Sequence, residues 1–166
     1  MSSFLPDVLT RIGEALGLSA QARRQALAGS LLLSADNGHA VHPNFPEKAD
    51  PANKVYPNGG VVIKYSANQK YTTTGLTAGL FQAICQKAGV PVQVFANRAD
   101  EPGGSTLGNL LGHQVSIPMV DIGMAQLAMH SAVETAGSRD PEYMARACAA
   151  FFQAEFTQTA DGVYQF

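Results

Sequence analysis

Apolar residues recur along this chain with two periods, and the period switches several times. Residues 3–17 place Leu5, Val8, Leu9, Ile12 and Leu16 at helical spacing, with Gly17 as a stop signal. Ser19 is placed to cap a second helix that ends at Gly29. Leu31–Leu33 is a short apolar run, the signature of a buried strand, and it leads into Asp36. Val61–Tyr65 and Val92–Ala96 predict two further strands. Between them, Leu76, Leu80, Phe81 and Ile84 return to helical spacing, and that helix stops near Gly89 ahead of Pro91. Ile117–Ile122 predicts a fourth strand. The apolar text after it, AQLAMHSAV, predicts a helix with His130 near its start and Val133 inside it. Ser138 or Asp140 is expected to cap a last helix, whose Met144, Ala147, Cys148, Phe151 and Phe152 form one apolar stripe and belong to the core. Beyond Thr157 the pattern fades into what reads as a frayed tail or a foreign or truncated end.

Strands alternating with helices predict an α/β fold with a layered α/β/α sheet. Two stretches interrupt the pattern. Residues 37–60 hold four prolines and no period, a loop long enough to suggest a function beyond connection. Residues 97–112 place Gly103 and Gly104 ahead of Ser105 and Thr106, which could cap a short helix reaching Leu111. Glycines before a helix can turn backbone N–H groups toward an anion, but the spacing matches neither standard phosphate loop. The polar residues Asp36, Arg98, Asp100, Asp121 and His130 fall at strand ends, the expected working edge of such a sheet.

Composition narrows the function classes. The chain has 166 residues, 46% hydrophobic and 14% charged, enough for one domain with a real core. Its formal net charge is −2 and its Lys and Arg are scattered, which argues against nucleic acid as a partner. Cys85 and Cys148 match no metal or redox spacing and are expected as buried thiols in a reducing compartment. The first residues lack a signal-peptide pattern, and no apolar run approaches membrane-spanning length. The default expectation is a cytoplasmic protein.

The candidate chemistry gathers at the end of the first strand. Asp36, His39 and His42 lie within seven residues, a possible metal or acid/base site. A single Asp at a strand end is more often a turn cap than a ligand; the two histidines shift the balance toward function. His130, in apolar surroundings, is by itself better explained as a core histidine, and His113 as a surface residue. Lys64 is unusual inside a strand unless its ammonium reaches water or an anion. No HExxH and no G-x-S-x-G occurs. Asp36 and His130 are 94 positions apart, and two protein ligands are too few for a tight hydrolytic metal ion.

Four strings, SADNGHAVHPN, GGVVIKYSANQKYTT, RADEPGGSTLG and VDIGMAQLAMHSAVE, together resemble the aspartyl aminopeptidase family of di-zinc metallopeptidases, in matching order and over residues 4–156. The resemblance implies that Asp36 ligates one zinc and His130 the second, with cobalt or manganese as alternatives. It implies substrate contacts from His39, Lys64 and Tyr71, and a contribution of His42 to a neighbouring subunit's site. It also implies peptide substrates, removal of N-terminal residues that Lys64 would favour as acidic, and assembly into dodecamers.

The chain departs from the family pattern in one respect that matters. The family's catalytic base is the first member of an adjacent Glu-Glu pair, and the six glutamates here, Glu14, Glu47, Glu101, Glu134, Glu142 and Glu155, include no such pair. The resemblance therefore implies that residues 1–166 form a single domain or sub-domain, the C-terminal part of a peptidase catalytic domain. No catalytic base is expected in it, and the chain is expected to be inactive alone. The alternative is a non-catalytic binding or assembly module built from the same half-domain. A smaller departure is Gly103, where the family often carries Cys.

Overall fold

The computed structural model describes residues 2–160 and 162–165. Its elements are α1 (Phe4–Ala15), α2 (Ala20–Ala28), β1 (Leu32–Ala35), β2 (Gly38–His39), a 3-10 turn at Pro46–Lys48, β3 (Val61–Tyr65), α3 (Gly75–Lys87), β4 (Val92–Ala96), α4 (Leu107–Gly112), β5 (Met119–Gly123), β6 (Ala125–Leu127), β7 (Thr135–Ala136), α5 (Asp140–Gln153), β8 (Thr157–Ala160) and β9 (Val163–Gln165). The expected α/β class holds. Among the described residues, no helix is long and apolar enough to cross a membrane.

The central sheet runs β1-β5-β3-β4. β1 and β5 are parallel, as are β3 and β4, while β3 and β5 meet antiparallel. Side chains alternate across a strand, so each strand serves two faces. Val61 and Ile63 of β3, with Val120 and Ile122 of β5, pack on Ala78, Phe81 and Cys85 of α3 and Ala147 of α5. Val62, on the opposite face, packs with Ala40, Val55, Tyr71, Phe95 and Ala125. α3 and α5 thus cover one face, while α4, whose Gly108 amide donates to Ser34 Oγ at 3.0 Å, covers part of the other together with the long loop and β6. Lys64 and Asp121, which alternate with the helix-facing residues, fall on that second side.

Local chemistry sets the helix starts. Ser19 Oγ accepts from the Ala22 amide at 3.1 Å, as its sequence position predicts. Thr74 and Thr77 form a reciprocal capping box at α3, each hydroxyl accepting from the other's amide at 3.2 and 3.0 Å.

Several expectations fail. Residues 128–134 are turns, not helix. Ala128 and His130 have φ of 56° and 68°, which a right-handed helix does not allow. The apolar spacing there instead serves β6, which pairs with β2. The long loop is partly ordered by β2 and the 3-10 turn. The stripe on α5 is only half right: Ala147 is buried, but Phe152 is 82% exposed and stacks edge-on against Phe151. Neither Ser138 nor Asp140 is the cap of α5. Arg139 takes that place, and Asp140 is buried inside the first turn with Oδ2 accepting from the Asn58 amide at 2.8 Å. The expected frayed tail forms an exposed hairpin, β8–β9, as far as its residues are described.

Candidate active site

Asp36 follows β1 directly and remains tied to the sheet, its amide donating to the Ile122 carbonyl at 2.9 Å. Gly123, at the end of β5, passes so near that a side chain there would collide with the Asp36 carbonyl oxygen. Asn37 then braces the next strands. Its Nδ2 donates to Gln126 Oε1 at 2.6 Å, and its Oδ1 accepts from the Met124 amide at 3.0 Å. The Gly38 and Ala40 amides donate to the Met124 and Gln126 carbonyls. Residues 36–40 are in this way stitched to the strand that leads toward His130.

Lys64 reaches the same point from β3. Its Nζ lies 3.6 Å from Asp36 Oδ2, donates to the Asn37 carbonyl at 3.4 Å, and stands 5.0 Å from the centre of the Tyr71 ring. Burial lowers the Lys64 pKa, and the carboxylates of Asp36 and Asp121 oppose that fall. Tyr71 is itself buried, which raises its pKa, while a hydrogen bond from Asn97 Nδ2 at 3.3 Å works the other way.

His39 and His42 are exposed and line one cavity of about 260 Å³, together with Phe95, Asn97, Arg98 and Gln126. His42 stacks at 5.1 Å on Phe45, and its Nδ1 accepts from the Asn44 amide at 3.2 Å. The cations of the cavity wall are already matched: Arg98 pairs with Asp100 at 2.6 Å and Lys48 with Glu101 at 2.7 Å.

The structure therefore brings Asp36, Lys64 and Tyr71 together and sets His39 and His42 around an adjacent cavity. His130 is exposed, and its amide donates to Glu134 Oε1 at 2.6 Å within its own turn. A carboxylate and an imidazole are suitable zinc donors, and both are accessible here, with the Asp36 side chain 54% exposed. Among the described residues no three His, Cys, Asp or Glu side chains converge on one point. The donor chemistry fits zinc; the number of donors does not close a site.

The sequence profile of the family described as Aminopeptidase I zinc metalloprotease (M18) matches residues 1–152. The chain belongs to the M18 family. Two curated M18 relatives, both named Probable M18 family aminopeptidase 2, come from Mycobacterium tuberculosis strain H37Rv and Mycobacterium leprae. The first is 44% identical over 95% of this chain, and the second 46% identical over 93%. The chain spans 36% of the length of each, about a third. Among solved structures, the complex of Ape4 and Nbr1 determined by cryo-EM contains a chain 41% identical to this one. It superposes with a TM-score of 0.88 over 92% of this chain and 29% of that one. A dodecamer of mApe1 from S. cerevisiae is 27% identical, with a TM-score of 0.77 over 91% of this chain and 33% of that one.

One residue lies elsewhere than its sequence pattern suggests. Asp121 lies not at a strand end but in the middle of β5, with no exposed surface. Its Oδ2 accepts from the Thr72 amide and hydroxyl at 2.6 and 2.8 Å, and its Oδ1 from the Thr106 hydroxyl at 2.6 Å. Thr106 stands at the start of α4 yet makes no side-chain cap, because its hydroxyl is used on Asp121. A carboxylate inside an apolar run (PMVDIG) was the available signal, since a buried charge needs dedicated partners.

Proposed function

We propose that this chain is the C-terminal part of the catalytic domain of a di-zinc metallo-aminopeptidase that removes acidic N-terminal residues from peptides. The observation that supports this is the M18 match over residues 1–152, which spans the segments forming the Asp36–Lys64–Tyr71 cluster.

Asp36 offers its carboxylate to one zinc and His130 its imidazole to the other; cobalt or manganese would accept the same donors. Zinc held there would supply Lewis-acid polarisation of a carbonyl and would lower the pKa of a bound water. His39, Lys64 and Tyr71 bind substrate. The Lys64 ammonium attracts an acidic side chain, and the Tyr71 hydroxyl supports the developing oxyanion. His42, on the exposed rim, would contribute to a neighbouring subunit's site. The proton-accepting Glu is not among the six glutamates here, so the chain by itself is inactive.

Self-association is the expected state. β1 and β4 are open edges of the central sheet, and Phe4 and Leu16 expose 72% and 69% of their surface. The dodecameric relative points the same way. A cytoplasmic location without membrane or nucleic-acid partners completes the reading.

The test is a longer polypeptide that carries this chain together with the Glu-Glu motif. Its metal content and its rates on a panel of N-terminal residues are measured. Bound zinc with faster release of Asp and Glu than of Leu supports the proposal. Equal rates across the panel overturn the acidic preference, and a metal-free, inactive product overturns the peptidase reading.

A further inference from the structure

Asn97 follows β4 and lines the cavity together with His39 and Gln126. Its Nδ2 donates to the Tyr71 hydroxyl at 3.3 Å, the hydroxyl's one hydrogen bond among the described residues. A phenol oxygen that accepts a hydrogen bond keeps its own proton for a different acceptor. Tyr71 is buried against Phe95, with ring centres 6.4 Å apart, so the ring is held and the hydroxyl proton is what remains to be directed.

Gly103 lies behind the Asn97 amide. A Cβ at that position would collide with Asn97 Nδ2. The glycine is itself pinned, because Lys70 Nζ donates to its carbonyl at 2.7 Å, and Lys70 is the residue next to Tyr71. Tyr71, Asn97, Gly103 and Lys70 therefore close a ring of contacts around one phenol.

We propose that Asn97 is a positioning residue: its amide holds the Tyr71 hydroxyl so that the phenolic proton points at substrate, and Gly103 leaves the amide room to do so. This rests on the reading of Tyr71 as a substrate contact. Asn97 itself acts through Tyr71. The amide also favours the phenolate, opposing the upward push of burial on the Tyr71 pKa.

The experiment is a ¹³Cζ-tyrosine NMR titration of the 166-residue chain, with Tyr71→Phe assigning the signal. Asn97→Ala should move the Tyr71 titration upward, and Gly103→Ala should move it the same way by displacing the amide. In the double variant, Gly103→Ala should add nothing, because the group it displaces is gone. The Tyr71 ¹³Cζ shift at neutral pH is a second readout, independent of alkaline stability, and it should change in both single variants. An unmoved Tyr71 signal in Asn97→Ala, or additive shifts in the double variant, overturns the proposal. The substrate reading of Tyr71 fails separately, if Tyr71→Phe leaves kcat and KM of the metal-loaded longer polypeptide unchanged while Asn97→Ala still shifts the signal.

Discussion

Lys64 and Asp36 form an ion pair at 3.6 Å across two very different environments: the Lys64 side chain is 1% exposed and that of Asp36 54%. The register that pairs Ile63 with Ile122 carries Lys64 alongside Asp121, one step further on. One buried ammonium is thus balanced by a half-wet carboxylate and by a buried carboxylate whose lone pairs serve threonines. Such pairing rarely recovers the full cost of desolvation.

It follows that Lys64 is retained at a cost in stability. Burial holds its folded pKa below the ordinary 10.5. The unfolded chain therefore binds the extra proton between those two values, and stability rises with pH through that window. Lys64→Met should stabilise the chain at neutral pH by about 1.4 kcal/mol for each pH unit that separates those two values, read from urea midpoints, with the gain shrinking as pH climbs toward 10.5. A less stable variant would mean that the pair is net favourable.

Asp121 makes the opposite prediction. Asp121→Ala strands the Thr72 amide and hydroxyl and the Thr106 hydroxyl in the interior, and should cost about 3–5 kcal/mol. Asp121→Asn keeps one acceptor oxygen and can donate to Thr106, so its cost should be nearer about 1–2 kcal/mol. Urea denaturation of both variants checks the order; equal costs would show that charge, not geometry, dominates.

Cys85 is buried, and burial pushes its thiol up to about 12, while the half-buried Cys148 is raised as well. In the native chain at mildly alkaline pH, a thiol reagent should modify Cys148 first and Cys85 only after denaturant is added. Burial disfavours the thiolate, so the folded chain keeps this proton where the unfolded chain has lost it. Ionisation of Cys85 leaves stability unchanged below 9.0, and stability falls as pH rises from there toward about 12. Equal native reactivity of the two thiols would contradict the burial of Cys85.

The parts of the fold legible in the sequence were those set by local forces. β3 and β4 match their predicted bounds because apolar runs of that length have few other uses, and α2 begins where Ser19 can cap it. Long-range pairing hid the rest. AQLAMHSAV carries apolar residues at spacings a helix also uses, and only the pairing of Gln126 with His39 reveals a strand. Asp121 finds its partners 49 and 15 positions away, so its sequence neighbours do not announce them. At the site, Asp36, His39, Lys64 and Tyr71 stood out by residue type and motif. Asn97 and the Asn37–Gln126 brace did not, because amides are common at loop ends and only their partners give them a role.

On the function proposed above, Asp36 and His130 serve a zinc peptidase site that this chain does not complete. Zinc stoichiometry and aminoacyl-substrate hydrolysis, measured together on the isolated 166-residue chain, test that claim most directly. Weak, substoichiometric zinc that Asp36→Ala diminishes further, with no hydrolysis, is the expected result. Tight stoichiometric zinc accompanied by turnover would contradict it.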